Sequence, residues 1–423
     1  MFTSLLSEGL DLPRSGPSFA QADAESHLTV EAAVTPFPRE ELRVDMLVAE
    51  EAKVAQGQPL MRLRSAPEIS LVAPMAGRVA RIDLMPGHKL SQVVLFHEAD
   101  GDRHAFKVDG AERDEAGFRA LLQATGLWRN FRSRPFGQMP APTETPAAIF
   151  VMGVDSRPDA PVPSVAIEGR EEEFGRSLEA LKLFAGAKCF LCEPKGAPFG
   201  GAVPKDVTRL ELGDIHPQGS AGFLIHRHFP AQTERRVWTI HAEDLADIGA
   251  LLATSYLPVT RFVTVTGDAL REPRLVKCQK GADLRGLIQN VVKPGPHEVM
   301  SGSLLEGRSA HWLAPHDRQV LVFARTSGGD RKHWFKAALE RAARHAPIIP
   351  TAALDQAFGG RLPAAALVRA LASGDMETFT QLGGLSLLEE DIALADYVTG
   401  ARPRLAKQLH SMLTQIAAEE DAL

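Results

Sequence analysis

Leu71-Val-Ala-Pro-Met-Ala-Gly-Arg-Val-Ala-Arg-Ile82 sets Pro74 and Gly77 between short apolar runs. Proline and glycine at such points cut a chain into short strands joined by tight turns. Lys53-Val-Ala-Gln-Gly-Gln-Pro-Leu60 and Leu84-Met-Pro-Gly-His-Lys-Leu90 repeat the device, each a turn glycine beside an apolar run. Residues 1–105 therefore read as a small β sandwich. Its central hairpin is Arg62-Leu-Arg-Ser-Ala-Pro-Glu-Ile-Ser-Leu71, which contains no lysine.

Further along, Pro140-Ala-Pro-Thr-Glu-Thr-Pro146 reads as an extended linker, because closely spaced prolines disfavour helix. Ala147-Ala-Ile-Phe-Val-Met-Gly-Val154 is a near-continuous apolar run, as a strand buried in a parallel sheet requires. The pattern then predicts a helix over 171–184 and a strand over 187–192. Two more strands are expected at Ala221-Gly-Phe-Leu-Ile-His226 and Arg236-Val-Trp-Thr-Ile240. A helix over 242–254 carries Leu245, Ile248, Leu251 and Leu252 on one face. Strands alternating with helices imply an open α/β sheet over 106–258. From Arg261 the rhythm changes. Strands at Arg261–Thr266 and Leu275–Cys278, a helix over 283–291, a strand at Glu298–Gly302 and a closing strand at Gln319–Ala324 suggest a β-grasp over 259–327. Residues 328–423 read as helical, over 330–345, 362–373, 389–398 and 404–420. The fold class is multidomain α+β.

Composition limits the function classes. At ~100–200 residues per domain, 423 residues make several domains. Lys and Arg number 47 against 53 Asp and Glu, a net charge of -6, which argues against nucleic acid as a partner. Three cysteines, Cys189, Cys192 and Cys278, build no disulfide framework. A bilayer-spanning helix needs ~20 apolar residues. The best stretch, Ile248 to Val259, is shorter and contains Pro258. The opening Met1-Phe-Thr-Ser-Leu-Leu-Ser lacks the basic flank and apolar core of an export signal. A cytosolic or peripheral protein is expected.

The chemistry-bearing motifs are few. Neither G-x-G-x-x-G nor G-x-x-x-x-G-K-[ST] occurs, so the backbone has no evident phosphate cradle. Cys189-Phe-Leu-Cys192 has redox spacing but lies in an apolar strand and reads as two buried small hydrophobes. On a strand, His226 and His228 would share a face. A metal there would need further ligands, with His216 and His241 as candidates by sequence proximity alone. Surface histidines are the plainer reading, and no metal is expected. No G-x-S-x-G elbow or Ser/His/Asp set is evident.

Leu127-Trp-Arg-Asn-Phe-Arg-Ser-Arg-Pro-Phe136 is the most unusual segment, with arginines interleaved with aromatics. Such a mixture can hold a quinone head group or an anionic lipid by hydrogen bonds and stacking. Trp128, Arg132, Arg134, Pro135 and Phe136 are the candidate quinone-binding residues. The plainer alternative is a basic loop docking on an acidic partner protein.

Two resemblances connect these pieces. The first module resembles the lipoyl/biotinyl barrel-sandwich hybrid, whose carrier versions place a modified lysine in the central hairpin. The lysine-free hairpin here implies a structural module. Over nearly the whole chain the motif order resembles the A subunit of the bacterial Na+-translocating NADH:quinone oxidoreductase. The matching stretches include Gly9-Leu-Asp-Leu-Pro13, Gly126-Leu-Trp128 with Arg134-Pro-Phe136, and Ala221-Gly222 with His226 and His228-Phe229. Val237-Trp238, Glu272-Pro-Arg-Leu-Val276, Val299-Met-Ser-Gly-Ser303, Ser373-Gly-Asp375 and Leu388-Glu-Glu-Asp-Ile-Ala-Leu394 continue the series. The chain resembles a divergent member, without the tail cysteines that the family carries near Gly384, Ala395 and Thr399.

The resemblance implies a barrel-sandwich hybrid, a Rossmann-like α/β domain, a soluble-ligand-binding (SLBB) β-grasp and a helical tail. It implies a peripheral subunit on the cytoplasmic face of the bacterial inner membrane, at the ubiquinone-reducing end of the complex. Flavins and iron–sulfur centres would sit on partner subunits, notably membrane flavoproteins, and none on this chain. Ubiquinone is the small molecule this implies nearby. Rnf-type and complex I relatives hold flavin in a Gly-Gly-x-Gly-Phe-Pro loop. The corresponding stretch here is Leu127 to Phe136, without those glycines. The alternatives are a flavin- and NADH-binding electron-transfer subunit of the Rnf type, or a stand-alone scaffold.

Overall fold

The computed structural model describes residues 9–325, 348 and 350–420. Strand β1 (Glu25–Ser26) precedes the barrel-sandwich strands. These are β2 (Glu31–Val34), β3 (Val44–Met46), β4 (Lys53–Val54), β5 (Pro59–Leu63), β6 (Ser70–Val72), β7 (Gly77–Met85) and β8 (Lys89–His97). They form a four-stranded sheet in the order β2-β8-β7-β4 and a three-stranded sheet in the order β3-β5-β6. Val44, Leu60, Val79, Val93 and Leu95 fill the space between and are fully buried. The hairpin expected around Arg62 to Leu71 is the β5–β6 turn, with Arg62 opposite Ser70.

Helix α1 (Glu115–Ala124), absent from the sequence reading, starts where Asp114 accepts the Gly117 N–H at 2.8 Å. Then come β9 (Arg132–Arg134), β10 (Ala148–Met152), α2 (Glu171–Leu181), β11 (Lys188–Pro194) and β12 (Thr208–Leu212). Next follow α3 (Ala221–His228), β13 (Val237–His241) and α4 (Ala242–Thr254). The sheet order is β12-β11-β10-β13-β9. β10 to β13 run parallel, and β9 is an antiparallel edge strand on β13. α2 and α4 cross so closely that a Cβ at Gly249 would lie 1.8 Å from the Glu173 carbonyl oxygen.

One element departs in kind from expectation. Ala221 to His228 is a helix, whereas the sequence suggested a strand there. A short apolar run carries no period that separates the two. Tertiary contacts decide it: Asp391 accepts the Gly222 N–H at 2.9 Å in the first turn. Phe223 then buries in the core of the helical domain, while Leu224 and Ile225 bury in the α/β core.

The β-grasp comprises β14 (Thr260–Thr266), β15 (Arg274–Gln279), α5 (Leu284–Ile288), β16 (His297–Ser301), β17 (Arg308–Ser309) and β18 (Gln319–Ala324). Its sheet order is β1-β15-β14-β18-β16-β17, so the N-terminal β1 forms one edge. α5 is shorter than the helix read over 283–291 and starts from an Asp283 cap. The tail contains α6 (Ala352–Ala357), α7 (Ala364–Ser373), α8 (Met376–Gln381), α9 (Ala393–Thr399) and α10 (Leu405–Glu420). α9 begins later than the helix read from 389, because Glu390 and Asp391 serve as ion-pair partners before it. α6 and α8 were not expected, and the helix read over 330–345 lies outside the described residues. Leu354, Phe358, Leu367, Phe379, Leu388 and Leu405 give this domain its own core. Among the described residues, no helix is long and apolar enough to cross a membrane.

Candidate functional site

The arginine–aromatic segment faces two ways. Leu127–Asn130 forms a single 3-10 turn, and Arg132–Arg134 becomes β9. Trp128 is fully buried and its Nε1 donates to the Pro140 carbonyl at 2.9 Å. Its ring meets Trp238 edge-on with centroids 5.2 Å apart, in a cluster with Phe131 and Phe184. Arg134 is 1% exposed. It donates to Asp391 at 2.7 Å and to the Ser386 carbonyl at 2.9 Å. Arg132 donates to Glu390 at 2.6 Å. Phe136 packs against the helical core, with the Arg236 guanidinium 4.8 Å from its ring centroid. Pro135 joins β9 to that contact. The acidic groups meeting these arginines belong to this chain's own tail. Burial would raise the Glu390 carboxyl, but Arg132 and Arg134 hold it below its ordinary value. Burial and neighbouring Glu390 push Asp391 up against the pull of Arg134.

The opposite side of the same segment borders a cavity of about 120 Å³ where three domains meet. Leu127, Arg129 and Asn130 come from the segment, Val72 from the barrel sandwich, Leu257 from the end of the α/β domain, and Lys280 from the β-grasp. Arg129 donates to the Thr35 carbonyl at 2.8 Å and to Glu40 at 3.0 Å. Its guanidinium lies 4.1 Å from the Phe37 ring centroid, and Phe37 stacks on His316 at 4.2 Å. Arg129 Nε and Asn130 Nδ2 are buried without a hydrogen-bond partner among the described residues. Lys280 donates to Asp247 at 3.1 Å, and Arg170 meets the same carboxylate at 3.1 Å. At the rim Gly281 has φ +71°, and a Cβ there would lie 2.0 Å from the Ala33 carbonyl oxygen. Only glycine allows this approach of the β-grasp to the barrel sandwich.

A third region lies beyond the carboxyl ends of β10 and β13. In an open α/β sheet, ligands bind where strand order diverges, with phosphates on a helix N-terminus. Here the first turn of α4 carries buried Glu243 and Asp244. Arg318 meets Glu243 at 2.7 Å and Asp244 at 2.6 Å, and Arg261 meets Asp244 at 3.0 Å. Both arginines come from the β-grasp and are buried. Burial opposes ionisation of Asp244, yet Arg318, Arg261 and Lys280 together hold its carboxyl well below the ordinary value. After β10, Asp155 pairs with Arg157, which also reaches Glu306. The crevice is thus filled by the chain's own charged side chains.

The remaining motifs are structural in their surroundings. Ser156 and His216, far apart in sequence, meet at 3.1 Å, but the Ser156 hydroxyl accepts the Gly219 N–H at 2.9 Å and braces a loop. Burial lowers the His216 pKa to about 4. On α3, His226 lies against Gly383 and His228 beside Phe190, so the shared strand face does not exist. Cys189 and Cys192 bury in different cores on opposite faces of β11, and burial pushes the Cys189 thiol up to about 12. Among the described residues, no group of three His, Cys, Asp or Glu could hold a metal ion.

Sequence comparison adds the lineage. The family model of the NqrA N-terminal barrel-sandwich hybrid domain matches residues 5–98. That of the NqrA second alpha/beta domain matches 113–257, and that of the NQRA C-terminal domain matches 262–311. The A subunit of the Na(+)-translocating NADH-quinone reductase of Serratia proteamaculans (strain 568) is 30% identical over 444 residues, covering 97% of this chain and 99% of that protein. The chain belongs to the NqrA family, the A subunits of Na(+)-translocating NADH-quinone reductases. Further NqrA relatives, from Marinomonas sp. (strain MWYL1) and Pseudomonas aeruginosa (strain UCBPP-PA14), are each 29% identical, covering 98% of this chain and 99% of their own. The NqrA fold class expected from the sequence is the one observed. Among solved structures, an air-oxidized NAD+-reducing NiFe-hydrogenase matches at 12% identity with a TM-score of 0.39, over 72% of this chain and 64% of that one. That likeness is too distant to bear on function.

Proposed function

We propose that this chain is the peripheral A subunit of a Na+-translocating NADH:quinone reductase and works at its quinone-reducing end. It has no flavin or iron–sulfur centre of its own, and activity belongs to the assembled complex. Its partners are membrane subunits that carry the flavins and iron–sulfur centre, met on the cytoplasmic face of the inner membrane. The filled crevice of the α/β domain supports this reading above all. Glu243 and Asp244 stand at the helix N-terminus where a dinucleotide phosphate would bind, and Arg261 and Arg318 seal them in. An Rnf-type role, with NADH or flavin on this sheet, would require breaking those pairs.

Within that role, Trp128, Arg132, Arg134, Pro135 and Phe136 serve quinone indirectly. They fix the segment whose Leu127, Arg129 and Asn130 border the cavity. The working units are residues 1–105, 106–258, 259–327 and 328–423, with β1 lent to the β-grasp sheet. Affinity purification of the tagged chain from membranes of its native host, in mild detergent, tests the assignment. Flavin-carrying membrane subunits should co-purify. Recovery of the chain alone from the soluble fraction would overturn the reading in favour of a stand-alone scaffold.

A further inference from the structure

We propose that residues 9–16 form a detachable strap with Asp159 as its clasp, and that the closed strap ties the helical tail to the α/β domain. At its first end, the Leu10 N–H donates to the His216 carbonyl at 2.8 Å, and Leu10 and Leu12 pack against the core of the tail. The His216 loop itself touches the tail, since a Cβ on Gly359 would lie 3.9 Å from the Pro217 ring. At the other end, the Ser15 and Gly16 N–H groups donate to the Asp159 carboxylate at 2.8 and 3.2 Å. Residues 19–27 then anchor the chain behind the strap. Phe19 packs with Val165 and Phe262, and Gln21 donates to the Val165 and Glu168 carbonyls at 3.0 and 2.9 Å. Glu25–Ser26 joins the β-grasp sheet, and the His27 N–H reaches the Lys277 carbonyl at 2.9 Å.

The strap and its anchor differ in how they are held. Asp11, Pro13, Arg14 and Ser15 are exposed, and Pro13 has no N–H to bond. A segment with few buried contacts and exposed backbone bonds opens at low free energy. The clasp, by contrast, is fixed in place. The Thr264 hydroxyl of the β-grasp donates to the Asp159 carbonyl at 2.6 Å, so the carboxylate is presented with the strap on or off. Asp159 has φ +60°, a conformation in which glycine is the less strained residue. Asp159→Gly therefore removes the carboxylate without straining the loop. Opening the strap uncovers Leu10, Leu12 and the tail surface beneath them, and leaves the tail to the arginine–carboxylate contacts at β9.

Residue-resolved hydrogen exchange on the purified full chain tests this. In the unaltered chain, Leu10, Ser15 and Gly16 should show protection within ~3-fold of one another and at least ~10-fold below that of His27. Asp159→Gly should lower all three by about 10-fold or more, as loss of hydrogen bonds to a charged group does, and leave His27 unchanged. Trypsin cleavage after Arg14 should accelerate in step, and exchange over 354–360 of the tail should rise with it. Leu10 as protected as His27 in the unaltered chain would overturn detachment. Leu10 unchanged in Asp159→Gly, whether or not Ser15 and Gly16 respond, would overturn the clasp. Exchange over 354–360 unchanged while Leu10 loses protection would overturn the tie to the tail.

Discussion

Two seams hold the α/β domain to its neighbours, and they use one chemistry with opposite electrostatic outcomes. Over α4, Asp244 meets Arg318 at 2.6 Å and Arg261 at 3.0 Å, with Lys280 3.8 Å away. Over β9, Asp391 meets Arg134 at 2.7 Å but has Glu390 beside it. Burial penalises both carboxylates. Surplus cations reverse the penalty at Asp244, and the adjacent carboxylate compounds it at Asp391. The first seam therefore fills a ligand crevice with permanent charge. The second fastens a helical domain through a carboxyl that is closer to taking a proton.

The sharpest way to break this contrast is Asp244→Ala. It leaves Arg261 without its carboxylate and Arg318 with Glu243 alone in the interior, where removal of one partner of a buried pair costs about 3–5 kcal/mol. The urea midpoint should fall accordingly, and a loss within noise would refute the seam. Arg134→Met should cost less, about 1–3 kcal/mol. Asp391 keeps the Gly222 and Leu388 N–H donors at 2.9 and 2.8 Å. Hydrogen exchange should speed up over 364–420 and stay unchanged over 242–254.

Acidity separates the seams further. A carboxyl held below its ordinary value stabilises the fold above that value, about 3.8 for Asp244, and the gain is lost only as pH falls through the depressed value. The Asp244→Ala penalty should therefore be flat from pH 8 to 5. A raised carboxyl behaves in the opposite sense, favouring the fold while protonated and losing that contribution as pH rises. The Arg134→Met penalty should thus shrink from pH 8 to 5, as urea midpoints at the two values would show. The smallest effect belongs to the rim of the second seam, where Arg39 and Glu389 pair at 2.9 Å but remain solvated. Arg39→Ala should change stability by about 0–1 kcal/mol in the same urea series.

Much of the fold is legible in the sequence because it is written locally. Pro74 and Gly77 mark strand ends, and the Ala242–Thr254 helix matches its reading residue for residue. What local pattern cannot carry is which distant group completes a contact. The odd composition of Leu127–Phe136 is visible, but Glu390 and Asp391 lie 258 and 257 residues away from their arginines. Glu243 and Asp244 look like ordinary first-turn acids complementing a helix dipole. Their burial depends on Arg261 and Arg318 arriving from the next domain. Asp247, one turn further in and set among Leu245, Ile248 and Leu251, is a local sign of a buried partner. Ala221–His228 misled because its apolar run is too short to show a period, and an aspartate from the tail starts the helix.

The most direct test of the central claim is a visible absorbance spectrum of the purified full chain, followed by titration with NADH and with flavin mononucleotide. With the crevice sealed by Arg261 and Arg318, the protein should be colourless and should bind neither compound at micromolar concentration. Stoichiometric flavin in the purified protein, or saturable NADH binding abolished by a change at the α4 N-terminus, would contradict it.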